Sequence, residues 1–247
     1  MRQINLLICL LFVLPSFAQY DGKDPEIASR FRPGIMWFNT GWRPAKANSG
    51  PKYDRLMLDL SYNDWVSDSV RLFRVKPNSI GFNIHGMWDI PLARENAIGL
   101  GIGLSYRYQR VSYDGLLYRD SANRSTSLQL FEDKSIGPDK SIFGSHAFAI
   151  PVEMRFRVPK WKHVKLHVGA HVGYRIQMYT KTWYNDKQIV VKDRFFYDNE
   201  PFFYGIHARF GIRNWALFAD YSLNKQFKSD KSTPLQPITF GLTISFF

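Results

Sequence analysis

The sequence contains a single cysteine, Cys9, and it falls inside the opening run "MRQINLLICLLFVLPSFAQ". Arg2, the apolar run from Ile4 to Leu14 and Ser16-Phe17-Ala18 follow the order of a secretory leader: charged start, short apolar core, small residues at a cleavage point. Cleavage after Ala18 is the expectation, and it leaves a mature chain without cysteine. Disulfides and thiolate chemistry are thereby excluded. Long apolar runs are missing too. Beyond the leader no stretch approaches 18 consecutive apolar residues, so the sequence excludes a membrane-spanning helix. Carboxylates are scarce: 21 Asp and Glu stand against 33 Lys and Arg, a formal net charge of +12. For an exported protein this excess is expected to meet anionic lipid head groups, surface polysaccharide or a protein partner rather than nucleic acid.

What the sequence does have is aromatic residues, 16% of the chain, and a period of two. In "AIGLGIGLSYRYQR" the residues Ile98, Leu100, Ile102, Leu104, Tyr106 and Tyr108 alternate with Gly99, Gly101, Gly103, Ser105, Arg107 and Gln109. The pattern recurs in "NSIGFNIHGMWDI", "HAFAIPVEMRFRV", "VKLHVGAHVGYRIQMY", "FYGIHARFGI" and "ITFGLTISFF", and more weakly in "RLMLDLSYNDW" and "LFADYSL". Side chains on a strand alternate between faces, so each segment predicts a strand with one apolar and one polar face. In "VKLHVGAHVGYRIQMY" the residues Val164, Leu166, Val168, Val172, Tyr174, Ile176 and Met178 are predicted on the apolar face, opposite Lys165, His167, His171, Arg175 and Gln177.

Connections alternate in length. Residues 91–96, 159–163 and 213–214 are short, whereas 66–77, 112–144, 180–200 and 224–235 are long and polar. A soluble sandwich would bury its apolar face and wet the polar one. Here the apolar positions are aromatic-tipped on every strand, and the other face mixes glycine with Arg, His, Glu and Asp. That combination predicts an all-β, eight-stranded antiparallel transmembrane β-barrel, an up-and-down meander with short periplasmic turns and longer extracellular loops. Residues 1–18 are the predicted signal peptide, 19–52 a periplasmic arm or partial plug, and 53–247 the barrel.

The runs "YDRLMLDLSYNDW", "GFNIHGMWDIPLARENAIGLGIGLS", "IPVEMRFRVPKWKHVKLHVGAHVGYRI" and "PLQPITFGLTISFF" resemble the PorT-like outer-membrane β-barrel family of Bacteroidetes, over residues 53–247. The resemblance implies a Gram-negative outer membrane and an accessory role in an outer-membrane assembly such as protein secretion. It also implies that the C-terminal aromatic, Phe247, is read by the barrel-insertion machinery. Phe246 rather than Phe247 shares the outward register of Phe240, Leu242 and Ile244, so the identity of the aromatic that is read stays open.

The predicted lumen set is Asp59, His85, Asp89, Arg107, Glu153, Arg155, Arg157, Lys165, His167, His171, Arg175, His207, Arg209 and Asp220. In an eight-stranded barrel such side chains meet across the axis, which predicts a charge-paired plug rather than an open pore. A small porin-like, anion-selective channel is the alternative. A lipid hydrolase is the third reading, resting on Ser145 and His146, but adjacent strand residues point to opposite faces. His167 and His171 lie about 13 Å apart along a strand, too far to share one metal. No enzyme activity, catalytic residue, cofactor or metal is expected. The basic stretch Arg155, Arg157, Lys160, Lys162, His163 and Lys165 is expected at the periplasmic rim, snorkelling to lipid phosphates or docking an acidic partner. Residues 180–200 predict a hairpin turning near Asn185-Asp186 whose aromatics, Trp183, Tyr184, Phe195, Phe196 and Tyr197, either bind a partner or complete the aromatic girdle. The expected partners are outer-membrane lipids and lipopolysaccharide, the insertion machinery and secretion-system proteins, with no nucleic acid.

Overall fold

A computed structural model of the chain describes residues 54–67, 75–93, 97–131, 137–158, 164–184, 189–194 and 196–246. The expected leader, the arm at 19–52, Lys160, Lys162, His163, the 185–186 turn, Phe195 and Phe247 lie outside the described residues. Eleven strands follow in chain order: β1 (Leu56–Val66), β2 (Ile80–Pro91), β3 (Ile98–Tyr113), β4 (Leu116–Asp120), β5 (Ser125–Gln129), β6 (Lys140–Arg157), β7 (Val164–Tyr184), β8 (Ile189–Asp193), β9 (Phe202–Ile212), β10 (Trp215–Ser222) and β11 (Gln236–Ser245). Eight of them pair in the cyclic order β1-β2-β3-β6-β7-β9-β10-β11, and β11 returns to β1. Every pair is antiparallel, so the sheet closes as a meander and leaves no exposed edge in the wall. No helix occurs among the described residues.

Burial shows which solvent the wall is built for. Leu60, Ile84, Leu104, Val172, Phe210 and Leu217 are exposed on the outer surface, whereas Asp59, His85, Glu153, Arg155, His167 and Arg209 are buried inside. Water would invert that order. A hydrocarbon surround favours it, because closure satisfies the backbone and the outer side chains are apolar. Ten residues separate Ile98 from Tyr108 on the outer face of β3. At about 3.3 Å per residue and a tilt of roughly 40°, that spans about 25 Å, the height of a bilayer's apolar band.

The short connections that follow β2, β6 and β9 lie at one end of the barrel, and the long connections lie at the other. Two of the long connections carry strands of their own. The β4–β5 hairpin sits within the loop predicted over 112–144, and β8 folds back onto the upper part of β7, pairing Trp183 with Val190. β7 also departs from strict alternation. The β6–β7 register shifts between His146 and Ala147, where Gln177 and Arg175 are their partners and Ile176 is the extra residue. A bulge re-aims every side chain beyond it. Met178, expected on the outer face with Ile176, is therefore turned inward and is only 4% exposed.

Candidate functional site

The lumen is stratified along the barrel axis. At the short-turn end, Asp54 folds in ahead of β1 and takes Lys165 Nζ at 2.7 Å and Arg157 Nη2 at 3.4 Å. Arg157 also reaches Asp89 at 2.9 Å, and Arg155 donates from Nε to Glu153 at 3.0 Å and from Nη1 to the Asp54 carbonyl at 3.1 Å. His167 lies 3.5 Å from Asp54. Burial raises the Asp54 carboxyl, but Lys165, His167 and Arg157 outweigh it and hold the group well below the usual carboxylate range.

At mid-height two carboxylates share one guanidinium. Arg209 donates to Glu153 through Nη1 and to Asp59 through Nη2, the latter at 3.1 Å. His85 Nε2 sits 2.7 Å from Asp59, which also accepts from the Thr243 hydroxyl at 2.8 Å. His207 Nε2 donates to Glu153 at 3.0 Å. A carboxylate can only accept, so these partners use its lone pairs with charge-assisted bonds.

Above this layer Arg107 pairs with Asp220 at 2.9 Å and donates to His171 Nε2 at 2.8 Å. Arg107 and Arg175 both lie over the Phe203 ring, at 5.4 and 4.8 Å. Arg175 donates to the Glu200 carbonyl at 2.7 Å. His171, His207 and Asp220 bring ligand atoms within 4.8 Å of one another, a grouping that spacing along one strand does not reveal. The Arg107 guanidinium already supplies positive charge to both Asp220 and His171, so the trio is a poor cation cage.

Glycine makes room for these long side chains. A Cβ at Gly101 would lie 2.5 Å from Arg155 Nε, and one at Gly169 would lie 2.9 Å from Glu153 Cα. Gly101 and Gly103 of "AIGLGIGLS" thus let Arg155 and Met87 of the neighbouring strands lie flat against the lumen wall.

The long-loop end is apolar. Trp65, Val111, Tyr113, Leu117, Phe143, Met178, Phe196, Phe227 and Leu235 form one buried cluster. Trp65 stacks edge-on with Phe143 at 5.4 Å, and Phe196 meets Phe227 at 5.7 Å. The sequence did not separate this cap from the outer girdle, because its members come from strand ends and three different loops. Phe196 is a correction to the expected partner-binding aromatics: it is 7% exposed and belongs to the cap. Tyr197 is exposed, while Trp183 and Tyr184 are partly covered.

All fourteen predicted lumen residues face the interior, and Asp54 is the member that the sequence missed. Its position is even-numbered and precedes the strand, whereas the inward register of β1 is odd, so alternation alone could not place it. Ser145 is buried inside, while His146 lies outside with its Nδ1 2.7 Å from the Tyr106 hydroxyl. The two sit on opposite faces of the wall and do not meet.

Residues 28–227 match the family model described as outer membrane protein beta-barrel domain. No curated protein matches the sequence. Two crystal structures of Ail, the attachment invasion locus protein of Yersinia pestis, are similar in structure, one of them in complex with the heparin analogue sucrose octasulfate. Their identities to this chain are 12% and 14% and their TM-scores 0.36 and 0.35; each match covers 77% of this chain and 94% of the Ail chain.

Proposed function

This chain belongs to the outer membrane protein beta-barrel domain family, and from that premise we propose a closed, non-enzymatic barrel that serves as an accessory component of an outer-membrane assembly such as a protein secretion system. The observation carrying this reading is the filled interior. Charge pairs fill the lumen at three heights, from Asp54–Lys165 through Arg209–Glu153 and Arg209–Asp59 to Arg107–Asp220, beneath an apolar lid. Moving ions through such a lumen would require breaking buried pairs, each costing several kcal/mol. Above the wall, the β7–β8 hairpin and the β4–β5 hairpin offer surfaces suited to a partner. In this reading the host is a member of the Bacteroidetes with PorT-like relatives, residues 1–18 are a cleaved leader, and Phe247 is read by the insertion machinery.

Planar-bilayer recording of the purified barrel, together with mild-detergent purification from native outer membranes, tests the proposal. The expected result is no stable conductance steps and one or more stoichiometric co-purifying proteins. Reproducible anion-selective conductance would instead favour a small porin-like channel.

A further inference from the structure

The bulge in β7 has a second consequence, on the outside of the barrel. Beyond it Met178, Thr180 and Thr182 turn inward and are buried, so Tyr179, Lys181 and Trp183 face outward. Register then aligns cations from four strands on one patch. Tyr179 is opposite Gly144, which is opposite Arg110. Lys181 is opposite Lys192, and Trp183 is opposite Lys140. The lysines close around the two rings: Lys140 and Lys181 stand 5.4 and 4.7 Å from the Trp183 centroid, and Lys192 stands 5.1 Å from that of Tyr179.

Lys181 and Lys192 are directly cross-strand, an arrangement of like charges that destabilises a sheet unless an anion relieves it. Asp193 pairs with Arg119 at 2.6 Å, and Asp114 with Lys76 at 2.6 Å.

Immediately below the cations lies a rim of hydroxyl-bearing and imidazole rings. The Tyr108 and Tyr179 hydroxyls are 3.2 Å apart, and Tyr108 packs on His146 at 4.9 Å. Below the rim the exposed apolar belt begins, with Leu104, Phe148 and Ile150. Rising from the bilayer, the order is therefore hydrocarbon, amphipathic aromatics, cations. That order matches the acyl chains, sugar region and phosphates of a phosphorylated glycolipid standing in the outer leaflet.

We propose that the outward face of β3, β6, β7 and β8 binds a phosphorylated outer-leaflet glycolipid, with its phosphates on Arg110, Lys140, Lys181 and Lys192 and its acyl chains against Leu104 and Phe148. The site rests on the barrel's place in the outer membrane and is independent of any role in an assembly.

The test uses the full-length barrel in zwitterionic nanodiscs, titrated with bisphosphorylated lipid A, its dephosphorylated form and the soluble deacylated bisphosphorylated headgroup. Binding is read by native mass spectrometry. Wild type should bind the bisphosphorylated lipid at least about 10-fold more tightly than either of the other two. The triple variant Lys140→Gln/Lys181→Gln/Lys192→Gln should lose that preference. Lys140→Arg/Lys181→Arg/Lys192→Arg should keep it, as should Lys225→Gln/Lys228→Gln on the loop between β10 and β11. Heat-modifiable gel migration verifies that each variant is folded. Unchanged binding by the triple glutamine variant would overturn the site. Equal binding of the dephosphorylated lipid would overturn the role of the phosphates, and equal binding of the deacylated headgroup would overturn the lipid assignment.

Discussion

Arg155 lies across the face of Gly101: a Cβ added to that glycine would come within 2.5 Å of the guanidinium Nε. Arg155 has nowhere to retreat, because it is fully buried and tied to Glu153 and to the Asp54 carbonyl. Gly101→Val is expected to destabilise the barrel by about 3 kcal/mol, from overpacking and loss of these bonds. Gly101→Ala should cost less. Urea titration in detergent, with folded barrel scored by the difference between boiled and unboiled gel mobility, measures both. Wild-type stability in the valine variant would refute the fit of Arg155 against β3.

Glu153 accepts from Arg155, His207 and Arg209 at the centre of the lumen. Glu153→Gln strands buried cations, and a loss of roughly 3–5 kcal/mol is expected in the same titration. Combining it with Arg209→Met should cost less than the sum of the two single losses, because both substitutions remove the same Arg209–Glu153 pair. A double-mutant cycle with no coupling between the two positions would contradict the shared network.

Asp54 gives a pH-dependent test at the periplasmic mouth. Its carboxyl is held below the ordinary carboxylate value by Lys165, His167 and Arg157 against the opposing effect of burial. A group whose folded pKa is depressed contributes stability above its unfolded pKa of about 4 and loses it as pH falls toward the folded pKa. Wild type should therefore exceed Asp54→Asn in stability at pH 7, and the gap should shrink only on acidification below about 4. A gap that is constant down to pH 3 would show that the charge on Asp54 is not what stabilises the mouth.

The apolar cap predicts a local effect at the cell surface. Phe143 is 2% exposed and touches both Trp65 and Phe196. Phe143→Ala should cost about 3–4 kcal/mol by the cavity it leaves. It should also loosen the β4–β5 loop, seen as faster tryptic cleavage at Arg119 or Arg124 on intact cells. Cleavage unchanged from wild type would separate the loops from the cap.

Much of the barrel was legible in the sequence because alternation is a local property. A residue's face on a strand depends on its neighbours in the chain, so Asp59, His85, Glu153 and Arg209 could be assigned to one side before any pairing was known. Lipid as the outer solvent was legible for the same reason, from apolar faces on strands that also carried a charged one.

Who meets whom inside was not legible. Arg209 reaches Glu153 over the intervening β7, and Asp59 across the lumen, only because strand pairing, closure and stagger set β9 against β6 and β1. The fate of Met178, and the outward turn of Tyr179, Lys181 and Trp183, depended on one extra residue at Ile176, whose bulge exists only in the pairing of β7 with β6. Phe196 and Asp54 were misplaced or missed because neither belongs to a barrel strand. Sequence alone determined the wall and its two faces, since these follow from backbone geometry repeated every two residues. Tertiary structure alone decided the charge pairs, the cap and the cationic patch, since each depends on non-local register between strands and loops that only barrel closure sets.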